Sequence, residues 1–284
     1  MQTVPDGTGP VDCSDKKKLK RAIIFIGIIP MRSILTSAGC TMKDLSWLLD
    51  TPVAHRGYHT PGIPENSMTA FQDAVRNGFT IELDVHMTKD DVLVVFHDDN
   101  LVRMTSHNKI IEYCTAAELR ELVLDESKER IPALTEVLDY VNGRVGVVIE
   151  VKRHPRIGRV EEILSRNLDR YCGKFAVASF DPHILQWFYR NRPSVIRGQI
   201  AGGLRGKKLP VLQRFFLKNL FVVLISRPDF IAYEHPYLNS WIRFFTGICR
   251  IPVIVWTVRD PDTAKKFRDT GWNCIFEGFH CKKR

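Results

Sequence analysis

The sequence predicts an α/β fold, a TIM-type (β/α)8 barrel with a small insertion after the second strand, and three observations predict it. From Thr51 onward, short β-branched runs alternate with longer stretches of helical period, the pattern of βαβ units feeding a parallel sheet. The strand candidates number eight, the count that closes a barrel. A chain of 284 residues with 44% hydrophobic content can also bury a core of that size, although the length alone would suit two smaller α/β domains.

The eight strands are expected over residues 53–56, 80–87, 146–152, 175–179, 196–200, 230–233, 253–258 and 273–277. Helices fit between them. Over 66–77, Met68, Phe71, Ala74 and Val75 recur on one face, Asn66 stands where a cap belongs, and Gly78 ends the run. Residues 159–171, 182–191 and 261–269 have the same character, the last two with proline in the first turn. One segment breaks the rhythm: 92–96 reads as an extra strand, followed by polar loop and a short helix over 116–122. An insertion at that point of a barrel lies over the C-terminal mouth, where barrel active sites are built. The strongly apolar stretch 209–225 reads as a buried barrel helix, with a lipid-facing patch as the alternative that Arg214 and Lys218 beside it leave open.

Two domains of unequal weight are expected, an N-terminal extension over 1–43 and the barrel over 44–284. In the extension, Lys16, Lys17, Lys18, Lys20 and Arg21 precede an apolar run over 22–29 that is too short to span a bilayer. Ser37-Ala38-Gly39-Cys40 faintly resembles a lipoprotein cleavage site, but Pro30 and Arg32 interrupt the run, so the expectation is a disordered or signal-like extension ahead of Met42. Seven cysteines without a Cys-x-x-Cys pair argue against a disulfide framework or a structural zinc and for a reducing compartment, so a cytoplasmic protein is expected. Lysine and arginine outnumber aspartate and glutamate by 41 to 32, a surface that attracts anions. The basic residues are scattered and lack interleaved stacking aromatics, which argues against nucleic acid. Membrane contact is compatible with the composition without being required by it, and the oligomeric state is not legible.

The chemistry concentrates at strand ends. In the second strand Glu82, Asp84 and His86 alternate with Ile81, Leu83 and Val85, so a period of two turns both carboxylates to one face. Such a pair needs a proton, a basic partner or a metal between its members. Glu150 and Lys152 share a face at the end of another apolar strand and offer a third carboxylate. Three oxygen donors without a thiolate suit one hard divalent cation, Mg²⁺ or Ca²⁺. His55 and His97 end the first strand and the inserted one, and Arg56 and Lys152 can hold phosphate oxygens, which together is what cleavage of a phosphodiester requires.

His55-Arg56-Gly57, Pro64-Glu65-Asn66-Ser67, Glu82-Leu83-Asp84-Val85, His97-Asp98, Glu150-Val151-Lys152 and Val255-Trp256-Thr257-Val258 stand in an order and spacing that resemble the glycerophosphodiester phosphodiesterase family, over roughly residues 45–279. The resemblance implies a metal-dependent hydrolase of glycerophosphodiesters that releases an alcohol and glycerol 3-phosphate. It implies Glu82, Asp84 and Glu150 as metal ligands and His55 and His97 as the acid/base pair. Arg56 and Lys152 would grip the phosphate, Trp256 would line the alcohol pocket, and Glu65 would orient Arg56. It further implies attack by the glycerol 2-hydroxyl on phosphorus and a cyclic phosphate that water opens. The chain departs from the family at Ile275-Phe276-Glu277-Gly278, where many members resemble Ile-Thr-Asp-Arg-Pro, and His59 and His86 are extra imidazoles read as structural. Two other functions fit the same residues: a lysophospholipase D acting on lipid phosphodiesters, which the stretch 209–225 would favour, and a non-catalytic barrel that binds phosphate esters or lipid.

Overall fold

The computed structural model describes residues 43–203 and 210–283; the extension read over 1–43 lies outside the described residues except for Lys43. Helix α1 (Ser46–Asp50) leads into β1 (Val53–Ala54), α2 (Met68–Arg76), β2 (Thr80–Met87) and β3 (Leu93–Val95). Three short helices follow, α3 (Val102–Thr105), α4 (Ala116–Arg120) and α5 (Leu134–Val141). Then strands and helices alternate: β4 (Val147–Val151), α6 (Arg159–Leu168), β5 (Phe175–Ser179), α7 (Pro182–Asn191) and β6 (Ile196–Ala201). The chain closes with α8 (Val211–Lys218), α9 (Val223–Ser226), β7 (Phe230–Glu234), α10 (Ser240–Cys249), β8 (Val253–Val258), α11 (Pro261–Asp269) and β9 (Asn273–Phe276).

All strands but β3 are parallel, and because β1 pairs with both β2 and β9 the ring β1-β2-β4-β5-β6-β7-β8-β9 is closed: the expected barrel. The strands are buried on both faces, which is why β-branched runs serve in them without alternation. β1 stops short of the expected range because Arg56 and Gly57 turn to positive φ (55° and 82°) directly after His55, whose amide still bonds to the carbonyl of Phe276. Gly57 is fixed twice over, since an added Cβ would also lie 2.9 Å from the Cβ of Ala70. We expect Gly57→Ala to cost about 1–3 kcal/mol in a denaturant melt; an unchanged midpoint would contradict this reading of the turn.

The barrel interior holds Val53, Val148, Ala176, Ala178, Ile200, Phe230, Ala232, Ile254 and Ile275, joined by Leu48 of α1. That helix closes the end where the strands begin: Asn273 donates to the carbonyls of Leu48 and Thr51, and the ring of Trp47 lies so near Gly146 that a Cβ there would fall 2.1 Å away. At the opposite end the inward residues are short, Ala178 and Ala232 among them, and they leave a cavity of about 290 Å³. The insertion after β2 packs on itself. Val94, Phe96, Leu101, Met104, Ile111, Leu119, Leu124 and Ile131 form a separate apolar cluster, and β3 joins it to the barrel by antiparallel pairing with β2.

Two sequence expectations are corrected. Asn66 does not cap α2: Ser67 does, accepting from the amide of Ala70, while Asn66 sits at φ 55° with its side chain turned to Asp84. The stretch 209–225 is not a buried helix. From residue 210 it forms α8, a short link and α9, which together bury Leu217, Leu220, Val222 and Val223 and leave Val211, Leu212, Phe215, Phe216, Leu224 and Ile225 exposed. Its apolar residues run all round the helices, and only one side of a helix can face a barrel. No described helix is long and apolar enough to cross a membrane.

Candidate active site

The parallel register brings the acidic residues together. Asp84 of β2 stands directly beside Glu150 of β4, with Glu82 two residues earlier on the same face. All three are buried, and their carboxylate oxygens lie within 4.8 Å of one another. Three carboxylates in so small and dry a space resist full ionisation. Burial, then the charges of Asp84 and Glu150, push the Glu82 carboxyl well above the usual range. Burial would push Asp84 the same way, but the charges of Lys152, His97 and Arg56 override it and hold that group well below its usual range. The Lys152 ammonium lies 2.6 Å from Asp84 Oδ1 and donates to Glu150 Oε1 at 2.5 Å, and these neighbours raise its pKa despite burial. A hard divalent cation fits this donor set: it would relieve the strain that Glu82 otherwise meets by taking a proton.

The rim is tied to the trio through backbone and side chain. The amide of Arg56, presented by the turn at Gly57, donates to Glu82 Oε2 at 2.9 Å, and its guanidinium donates to Glu65 Oε1 at 2.7 Å. Asn66 donates to Asp84 Oδ2 at 2.9 Å. Arg103 from the insertion donates to the same Glu65 oxygen at 2.6 Å and to Asp98 Oδ2 at 2.6 Å, so Glu65 joins the two guanidinium groups that flank the mouth.

Each histidine is held by a carboxylate. His55 Nδ1 meets Glu277 Oε2 at 2.5 Å, and His97 Nδ1 meets Asp98 Oδ1 at 2.5 Å. Both imidazoles line the cavity together with Arg56, Glu82, Glu150, Phe180, Trp256 and Arg259. Trp256 donates its indole N–H to the carbonyl of Ala232 and meets Phe180 edge-on with ring centres 5.7 Å apart, which makes one wall apolar. Of the two histidines read as structural, His86 bonds the carbonyl of His97 at 3.2 Å, and His59 lies with His55 and Glu277 in a second cluster whose ligand atoms fall within 4.8 Å of one another.

Asn66, Asp98, Arg103, Arg259 and Glu277 bond to the carboxylates and imidazoles of the site, contacts that the motifs left unassigned. Glu277 is the instructive case, because it stands where the sequence departs from the family pattern. The carboxyl is held at a pKa of about 2: burial would raise it, but the bond to His55 and the Arg259 guanidinium 2.7 Å away override that. Burial lowers the pKa of His55, and the bond to Glu277 opposes the fall. Glu277→Gln therefore lowers the His55 pKa further, so the limb of the pH–rate profile that reports His55 moves toward acid whichever way that imidazole moves its proton. We expect kcat to drop about tenfold or more as the ring loses its orienting anion, with Glu277→Asp recovering part of it; an unmoved profile would leave Glu277 a purely structural residue.

A (β/α)8 barrel that gathers three carboxylates and two carboxylate-held imidazoles at the ends of its strands has the architecture of a barrel phosphodiesterase. A family model described as the glycerophosphoryl diester phosphodiesterase family matches residues 55–210, and the chain belongs to that family. The YhdW protein of Bacillus subtilis is 30% identical over 228 residues, 77% of this chain and 90% of its own length. The human lysophospholipase D GDPD1 is 35% identical over 273 residues, 83% of this chain and 85% of its own. Among solved structures, an Oleispira antarctica phosphodiesterase in complex with its product sn-glycerol-3-phosphate superposes with a TM-score of 0.69 at 20% identity, covering 81% of this chain and 94% of that one, which is a likeness of fold.

Proposed function

We propose that this chain hydrolyses glycerophosphodiesters to an alcohol and glycerol 3-phosphate, with His55 and His97 as the acid/base pair and Glu82, Asp84 and Glu150 as ligands of one divalent cation, Mg²⁺ or Ca²⁺. The observation that carries the reading is the acidic trio, its oxygens within 4.8 Å of one another, beside a cavity lined by both imidazoles. A cation held there would offset the charge on the phosphoryl oxygens during displacement at phosphorus. Arg56 supplies positive charge at the cavity wall, and Lys152 supplies it through the two carboxylates it bridges.

One imidazole takes the proton from the glycerol 2-hydroxyl as that oxygen bonds to phosphorus. The other gives its proton to the alcohol oxygen as the ester bond breaks. With the roles exchanged, water opens the cyclic phosphate, and each ring regains its starting state. Glu277 and Asp98 fix the ring orientations so that the nitrogen facing the cavity is the one that exchanges the proton.

We expect EDTA to abolish release of glycerol 3-phosphate from glycerophosphocholine, and added Mg²⁺ or Ca²⁺ to restore it; activity indifferent to the chelator would sink the metal assignment. A lysophospholipase D reading has its own support in the apolar wall of Phe180 and Trp256 and in the similarity to the human enzyme of that name. Turnover of lysophosphatidylcholine equal to that of glycerophosphocholine would favour it. A non-catalytic binder has no use for two carboxylate-held imidazoles, and turnover of either diester excludes it.

A further inference from the structure

We propose that the face built by α8, α9 and α10 docks on the surface of an anionic lipid bilayer, a partner that does not depend on which diester the site cleaves. The face is apolar and uncovered: Val211 is 85% exposed, Leu212 67%, Phe215 52%, Leu224 63%, Phe244 59% and Ile248 64%. Isolated exposed apolar residues are ordinary, but Val211 and Phe215 stand one turn apart on α8, as Phe244 and Ile248 do on α10. A run of aromatic contacts, Phe215 to Phe221 (5.8 Å between ring centres), Phe221 to Trp241 (6.3 Å) and Trp241 to Phe244 (6.3 Å), ties α8 to α10.

Charge chooses the occupant. The chain has 32 acidic residues in 284, yet neither residues 209–228 nor residues 237–258 contain one, while Lys218 stands exposed on α8; Arg243 and Arg250 line a separate cleft beside Trp272, over whose ring the Arg243 guanidinium lies at 4.8 Å. Apolar side chains flanked by a cation and free of carboxylates complement anionic headgroups over an acyl layer. A second copy of the chain is the poorer fit. A two-fold contact through this face would set Lys218 against its own copy with no acid from the same segments between them. At eight, four and ten residues the helices are far too short to span, so the contact is one of lying on the membrane.

The face also continues into the cavity wall. Leu217 and Val222, on the buried side of the same segment, pack against Phe180, which lines the cavity beside Trp256.

The test is co-sedimentation of the full-length protein with vesicles of phosphatidylcholine alone and of phosphatidylcholine mixed with phosphatidylglycerol. We expect partition onto the mixed vesicles that weakens with salt. The double variant Phe215→Ser/Phe244→Ser should lower the partition coefficient by about tenfold or more, and Lys218→Glu should lower it on the mixed vesicles. Both should keep full hydrolysis of soluble glycerophosphocholine, and a thermal melt confirms folding independently of any activity. Absence of partition would overturn the proposal. Partition that survives both variants would also overturn it, by assigning lipid binding elsewhere, the basic run at residues 16–21 included. Self-association that only the phenylalanine variants abolish, without vesicle binding, would hand the face to a second copy.

Discussion

His55→Ala and His97→Ala should each cut kcat on glycerophosphocholine by about 10²–10⁴, the usual worth of a positioned acid or base, with little change in KM. Both rings line the cavity and both are held from behind by a carboxylate, so geometry alone does not separate their roles. Chemistry does. A glycerophospho-p-nitrophenyl diester has a leaving group that departs without a proton, so the variant lacking the acid recovers most of its rate on that substrate. The variant lacking the base stays slow. If both variants keep wild-type kcat on both substrates, the acid/base assignment is wrong.

Glu82→Gln should have two effects of opposite sign. A neutral amide oxygen holds a hard divalent cation more weakly than a carboxylate does, so cation-dependent turnover should fall by about 10³ or more. The cation-free protein should become more stable. Glu82 is the member of the trio whose carboxyl is pushed up, by burial first and then by Asp84 and Glu150. A folded-state pKa above the unfolded one means the native state holds the extra proton, so this residue contributes a loss of stability as pH rises toward neutrality, and none in acid, where both states are protonated. A neutral glutamine removes that loss and keeps an oxygen for the Arg56 amide. We expect a gain on the order of 1 kcal/mol, about 2–4 °C in Tm for a chain of this size, measured in EDTA near neutral pH and vanishing in acid. A variant that melts lower in EDTA would show that the trio is not strained without its ion.

The barrel was legible because closed parallel strands bury both faces, which leaves apolar runs such as residues 147–151 little alternative. The acidic trio was legible because a period of two fixes which residues share a face, and the Asp84–Glu150 register follows once β2 and β4 are neighbours. What lay beyond the sequence depends on contacts between distant segments. Glu277 reaches His55 across 222 positions, and Arg103 meets Glu65 across 38, with no periodicity to announce either. Asn66 was read by local rule as a cap, but the buried Asp84 carboxylate claims its amide and Ser67 takes the cap. The segment after β6 misled for a related reason: hydrophobicity reports a preference to leave water and does not say what will cover the residue.

The apolar cluster of the insertion gives the two imidazoles different mountings. His55 rides on the ring of the barrel itself, held to Phe276 and Glu277 across the seam where the first and last strands meet. His97 follows a three-residue strand that fastens an independently packed module to one side of that ring. The distance between the two rings therefore depends on how the module seats on β2, where the His86 imidazole reaches the carbonyl of His97 at 3.2 Å, and the closure of the sheet does not set it by itself.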